Sequence, residues 1–241
     1  MKILNGKYAL ITGASGGMGK AIAYQLAKEG VNLILTDINT RKLEQIKNEL
    51  SKEGIIIEYI SADLTQKEKQ KQLIQFISSS LTRLDILIHS AGSILQSSVV
   101  DTTDEKLEEL FKINLFVPFL LTRELLPLLK SSKGQIIFIN SSAVQRPIPN
   151  ISHYSASKHA MKGFADVLRE EVNPEGIRVT SFYPGKTATE MQQKLYKENQ
   201  CEYMPDKLIQ PDDIAQAVVN ALTMPQTVEI TDIYLRPMQK S

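Results

Sequence analysis

The sequence predicts a doubly wound α/β domain, a parallel sheet of about seven strands with helices on both faces. Short apolar runs of strand length alternate with stretches of helical periodicity from one end to the other. The apolar runs end on small or polar residues such as Gly13, Asp37 and Pro184, the layout of a sheet whose carboxyl edge is kept for ligands. No internal repeat, low-complexity tract or linker divides residues 1–241, so a single domain is expected.

Composition agrees. A chain of 241 residues with 42% hydrophobic and 23% charged residues can bury a substantial core, and its net charge of +1 points to neither a nucleic-acid nor a membrane partner. The single cysteine, Cys201, can form no internal disulfide and no thiolate metal site by itself, so no metal is expected. The apolar run Tyr8 to Ile11 is too short for a signal sequence, and no stretch approaches a membrane span. A cytoplasmic protein is the expectation.

Tyr8 to Thr12 reads as a buried strand running into Gly13-Ala14-Ser15-Gly16-Gly17-Met18-Gly19, with a helix from Lys20 to Glu29 stopped by Gly30. Strand, glycine turn and helix form a Rossmann-type unit, in which glycines let backbone N–H groups approach a pyrophosphate. The phosphate loop of NTPases is rejected, because it requires glycine at Ala14 and serine or threonine at Ala21. The next strand, Val31 to Thr36, ends at Asp37. A carboxylate there accepts hydrogen bonds from ribose hydroxyls and repels a 2′-phosphate, favouring NAD(H) over NADP(H). Ile38 brings no cation, and Arg41 is the neighbour that argues the other way.

A helix from Arg41 to Leu50 follows, then a strand from Ile55 to Ile60 ending near Asp63 and a helix from Lys67 to Ser79. A fourth strand, Asp85 to Ile88, leads into His89-Ser90-Ala91-Gly92. Two helices, Asp104 to Ile113 and Leu115 to Lys130, are expected on either side of Asn114. Gln135 to Asn140 is the fifth strand and Arg178 to Tyr183 the sixth. Residues 189–210, polar and interrupted, read as a small lid; a helix opens at Pro211, and Glu229 to Leu235 closes the sheet.

Between the fifth and sixth strands lies Tyr154-Ser155-Ala156-Ser157-Lys158. Residues four apart share a helix face, offset by about 40° and about 6 Å along the axis. A phenol beside an ammonium is a proton-transfer device, and the cation is expected to lower the phenol pKa by about 1–3 units. On that footing Tyr154 is a candidate general acid or base.

On these residues the chain resembles the short-chain dehydrogenase/reductase family over nearly its whole length. Thr12, Gly13, Gly17 and Gly19 match the family's glycine motif, and Asp63 its adenine-side aspartate. His89-Ser90-Ala91-Gly92 stands where Asn-Asn-Ala-Gly is usual, a departure at two positions. Asn114 matches the catalytic asparagine, and counting from Gly134 and back from Tyr154 both lead to Ser141 as the catalytic serine. Pro184-Gly185 matches a further motif, with Thr187 replacing Val or Ile and Thr189 the expected threonine.

The resemblance implies hydride exchange between a nicotinamide and an alcohol or a ketone or aldehyde. It implies a catalytic tetrad of Asn114, Ser141, Tyr154 and Lys158: Tyr154 as acid or base, Lys158 tuning it and holding ribose hydroxyls, Ser141 donating to the substrate oxygen, and Asn114 ordering a water. Cofactor contacts follow at Gly13, Ser15, Gly17, Met18 and Gly19 of the turn. Asp37, Asp63 and Leu64 are expected at the adenosine end, and Ala91, Gly92, Pro184, Gly185, Thr187 and Thr189 farther along. Ala143, Arg146, Tyr183 and Met191 are candidate substrate residues. NAD is the expected cofactor. The tail Ile230 to Pro237 resembles an NADP-leaning subgroup, so an NADP-dependent carbonyl or hydroxy-acid reductase is the alternative, with a nucleotide sensor of little catalysis as the rival class. A homodimer or homotetramer is usual in the family.

Overall fold

The computed structural model describes residues 2–239. Its centre is one parallel sheet of seven strands: β1 (Tyr8–Thr12), β2 (Asn32–Asp37), β3 (Ile57–Ser61), β4 (Ile86–His89), β5 (Gln135–Ile139), β6 (Arg178–Pro184) and β7 (Asp232–Leu235). They lie side by side in the order β3-β2-β1-β4-β5-β6-β7. The order reverses between β1 and β4, where an open α/β sheet leaves a crevice at its carboxyl edge.

Alternation along each strand sorts the core into two layers. Ala9 and Ile11 of β1, with Leu33, Leu35, Ile86, Ile88 and Ile137, face helices α1 (Gly17–Lys28), α2 (Thr40–Leu50) and, near the sheet's middle, Ile214, Val218 and Leu222. Leu10, Ile34, Leu87, Ile136 and Phe138 point the other way. They meet α3 (Lys67–Ser80), Leu121, Leu125 and Leu129, and a long helix represented by Met161, Ala165 and Leu168. Near-continuous apolar strands are what a sheet covered on both faces requires.

Strand register aligns the functional edge. Thr12 pairs with both Thr36 and His89, and Asp37 with Ser61. The glycine turn, Asp37, Ser90–Gly92 and Ser141 therefore emerge on the same side of the sheet. His89 is itself part of the core, fully buried, bonded through Nε2 to the Thr122 hydroxyl at 2.8 Å and stacked on Phe138.

Three sequence expectations need correction. Asn114 does not separate two helices. α4 (Asp104–Phe111) passes through a π-helical segment, Lys112–Phe116, directly into α5 (Val117–Ser132). Periodicity cannot distinguish a π-bulge from a break, because both displace the apolar stripe. The last strand begins at Asp232 rather than Glu229, since the Glu229 carboxylate instead accepts the Val179 N–H at 2.8 Å and an Asn173 amide N–H at 2.8 Å. Within the expected lid, Glu190–Glu198 is a regular helix after α6 (Ser152–Val172), which makes it α7, while Leu208 and Ile209 are buried anchors. α8 (Pro211–Leu222) follows, opened by a reciprocal cap between Gln210 and Asp213.

Candidate active site

The glycine turn is built for close approach. Gly13 has φ +65°, the left-handed region where glycine is favoured, and a Cβ there would sit 2.7 Å from the Ala91 backbone. Thr12 fastens the same two loops together: its hydroxyl accepts the N–H groups of Ser90 and Ala91 at 3.2 and 3.1 Å. A Cβ on Gly19 would lie 2.1 Å from the Gly13 carbonyl, so helix α1 can start this close to β1 only with glycine. The first turn of α1 carries no acidic residue and no side-chain cap. Its N-terminal dipole end is thus left for an anion. A pyrophosphate fits this cradle. Met18 turns away and packs against the core.

Beside it lies a cleft of about 510 Å³ lined by Ser15, Gly16, Asp37, Ile38, Asn39, Thr40, Lys42 and Glu190. Asp37 accepts the Ser15 N–H at 3.1 Å through one oxygen and the Asn39 N–H at 3.2 Å through the other. Asp63 is committed within its own turn. Its carboxylate accepts the Thr65 N–H and hydroxyl at 3.0 and 2.7 Å and a Gln66 amide N–H at 2.9 Å. The Thr65 bond does most to hold the Asp63 carboxyl below its ordinary pKa. Leu64 is buried.

The tetrad residues converge from three elements: Asn114 from the π-helical segment, Ser141 from the exit of β5, and Tyr154 with Lys158 from α6. Asn114, on the π-helical segment, is fully buried; its amide oxygen accepts the Ser93 N–H at 2.9 Å, and its NH2 donates to the Ser93 carbonyl at 2.9 Å and the Ser157 hydroxyl at 3.0 Å. Both amide donors are spent on protein, so any hold on a water falls to the backbone carbonyl. A Cβ on Gly92 would lie 3.1 Å from the Asn114 amide oxygen and 3.6 Å from Lys158 Nζ, which places the β4 exit loop against both. Lys158 lies 5.8 Å from the centre of the Tyr154 ring and donates to the Ile139 carbonyl at 3.3 Å. Ser141, whose hydroxyl accepts the Ala143 N–H at 3.1 Å, is close enough to the Tyr154 hydroxyl to act on its pKa.

The electrostatics correct the expected tuning. Burial pushes the Tyr154 phenol above its ordinary value, against the hydrogen bond with Ser141 that acts to lower it. Lys158, buried, is brought down from 10.5 to about 8. Desolvation thus decides both shifts, opposed at the phenol only by Ser141. A neutral phenol suits the acid role, and a base role needs additional positive charge nearby.

A second cleft, also about 510 Å³, opens between the loop from Ile94 to Asp101 and helix α7. Met191 and Leu195 supply apolar wall, while Gln96, Lys194 and Glu198 supply polar groups. Asn199 spans it, its amide donating to the Gln96 side-chain oxygen at 2.6 Å. Of the candidate substrate residues only Met191 lines this cleft. Arg146 is exposed on the loop ahead of α6, and Ala143 is buried. Tyr183 is fully buried and stacked on Tyr234 with ring centres 4.5 Å apart, its hydroxyl near Asp232 and Ser181. The loop from Ile94 was missed by sequence reading, although the long connection from Ser90 to Thr103 carries no regular structure of its own until Asp104, which marks many functional loops.

Farther along the edge, Gly185 donates its N–H to the Leu235 carbonyl at 2.8 Å, and Thr187 is buried with its hydroxyl on the Gly185 carbonyl at 3.0 Å. Thr189 caps α7 by accepting the Gln192 N–H at 3.2 Å, and its methyl lies where a Cβ of Gly17 would project. The base of α7 therefore rests on the glycine turn. Among the described residues no group of three metal-ligating side chains occurs, and no helix is long and apolar enough to cross a membrane.

Comparison with known proteins agrees with this fold. The chain is 32% identical over 241 residues to an uncharacterized oxidoreductase of Staphylococcus aureus, covering 99% of this chain and 100% of that one. It is 34% identical over 194 residues to the diacetyl reductase [(S)-acetoin forming] of Staphylococcus epidermidis, spanning 80% and 76% of the two. Among solved structures, the alcohol dehydrogenase of the archaeon Thermococcus sibiricus complexed with 5-hydroxy-NADP superposes with TM-score 0.87 at 27% identity, covering 98% of each chain. A 7α-hydroxysteroid dehydrogenase complexed with NADH and 7-oxo glycochenodeoxycholic acid does so with TM-score 0.86 at 26% identity, covering 96% of this chain and 93% of that one. The family model described as short chain dehydrogenase matches residues 7–200. With that match, the glycine turn and the four converging side chains, the chain belongs to the short-chain dehydrogenase family of oxidoreductases.

Proposed function

We propose that this oxidoreductase uses NAD(H) in preference to NADP(H) to interconvert the alcohol and carbonyl forms of a small molecule, with Tyr154 as general acid and base. The observation that carries the reading is Lys158 Nζ at 5.8 Å from the centre of the Tyr154 ring, with Ser141 near the phenol and Asn114 bonded to Ser157 between them, all at the sheet edge that bears the glycine turn.

Bound nicotinamide would supply or accept the hydride. The chain's own residues do the rest. The turn from Gly13 to Gly19 and the bare end of α1 hold the pyrophosphate, and Asp37 faces the adenosine ribose across the first cleft. Tyr154, a neutral phenol at pH 7 whose pKa burial raises further, protonates the carbonyl oxygen on reduction. Ser141 donates to the same oxygen as negative charge develops there. Lys158, brought down to about 8, retains its charge at neutral pH, favours the phenolate once the proton has left, and reaches the ribose hydroxyls. The backbone of Asn114 holds the water through which Lys158 exchanges protons.

A lining in which Met191 and Leu195 sit among mostly polar groups, Asp101, Lys194 and Glu198 included, suits a small, polar ketone, aldehyde or alcohol. Exposed Phe116 and Phe119 on the π-helical segment and α5 offer a face for a homodimer or homotetramer. The reading is tested with Tyr154→Phe. Turnover of a panel of small ketones by NADH should fall at least about a hundredfold while NADH affinity stays within about twofold, since only the proton donor is removed. Undiminished turnover would refute it.

A further inference from the structure

The adenosine-end cleft holds one cation that the proposed chemistry leaves unused. Among the described residues lining it, Lys42 is the sole cation, set against two carboxylates, Asp37 and Glu190. Lys42 comes from the first turns of α2, next to the residues that follow Asp37, while Glu190 is the first residue of α7. The two are distant in sequence, yet Lys42 Nζ lies 2.7 and 2.8 Å from the two oxygens of Glu190. Arg41, the neighbouring cation, is exposed and lies outside the lining.

We propose that Glu190 is a cofactor-selectivity residue: it holds the Lys42 ammonium and so denies a 2′-phosphate the one cation within the cleft. The inference rests on the NAD reading of this site. A phosphate ester entering beside Asp37 needs a charge-assisted partner to offset its repulsion and desolvation. Lys42 is the side chain placed to be that partner, and Glu190 engages it through both oxygens. Surface ion pairs of this kind contribute little to stability. The consequence is local: the cation is neutralised where a second phosphate would sit. Selectivity then has two parts, repulsion by Asp37 and sequestration of Lys42 by Glu190.

The test is equilibrium binding of NADH and NADPH, followed by the fluorescence of the reduced cofactor, to the wild type, Glu190→Gln, Lys42→Gln and the double variant. Both side chains lie at the surface, so the variants keep the fold. Glu190→Gln should tighten NADPH about tenfold, the scale of one charge-assisted hydrogen bond, and change NADH by less than about threefold. The gain should vanish in the double variant and shrink as salt is raised. No gain for NADPH, an equal gain for both cofactors, or a gain that survives Lys42→Gln would overturn the inference while leaving the NAD reading in place. A wild type that binds neither cofactor, or binds NADPH more tightly, would overturn that reading and this inference with it.

Discussion

Lys158→Met separates what the buried lysine does for catalysis from what it costs the fold. Lys158 is 4% exposed and donates a hydrogen bond to the Ile139 carbonyl at 3.3 Å. Its pKa falls from 10.5 in the open chain to about 8, which corresponds to about 3 kcal/mol of destabilisation of the charged, folded form. Because the folded value lies below the unfolded one, the unfolded chain binds the proton more tightly. The penalty is therefore complete below pH 8, declines by about 1.4 kcal/mol per pH unit as pH rises from there, and is gone near 10.5. Methionine fills much the same volume without charge, and loses a hydrogen bond of about 1 kcal/mol. The variant should thus be more stable than the wild type by about 2 kcal/mol at pH 7 and less stable by about 1 kcal/mol above pH 10.5. Urea unfolding followed by circular dichroism at pH 7 to 10.5 measures the difference, in which titrating groups remote from Lys158 cancel. The same variant should have no measurable turnover. A variant no more stable at pH 7, or a difference that does not change between pH 8 and 10.5, would refute the account of Lys158 as a charge held in the core for function.

Two more outcomes follow from particular contacts. Gly19→Ala places its Cβ 2.1 Å from the Gly13 carbonyl, backbone that cannot swing aside, and should cost about 1–3 kcal/mol of stability as well as most NADH affinity; Gly17→Ala meets the movable Thr189 side chain and should be milder in thermal melts. His89 is brought down from 6.5 to about 3 by burial, so the unfolded chain takes up the proton first and stability should fall as pH drops below 6.5. His89→Asn should flatten that decline in acid denaturation curves; an unchanged slope would show that another group is responsible.

The strands were legible in the sequence because each is an apolar run closed by a residue that cannot continue it. β1 was placed end to end, and others shifted by one to three residues. The glycine turn, Asp37 and the Tyr154–Lys158 pair were legible for a related reason: their chemistry needs specific residue types at short spacing, and short spacing survives as a linear pattern. Ser141 and Asn114 lie far from the pair in sequence, and the structure brings both beside it. The loop from Ile94 and the far end of α7 had no such pattern, and Arg146 and Tyr183 were drawn toward the substrate only because they lie near catalytic residues in sequence. Tyr183 is instead fully buried in β6 and stacked on Tyr234 of the neighbouring β7.

Sequence alone therefore determined the sheet, its carboxyl edge and the residue types brought there, because local periodicity and turn chemistry act over a few residues. The tertiary structure decided the charge balance. The desolvation that raises Tyr154 and lowers Lys158 depends on how much protein surrounds them. The Lys42–Glu190 pair joins two helices that meet only when the chain is folded. Both effects follow from burial and distance, and neither quantity is written in the order of the residues.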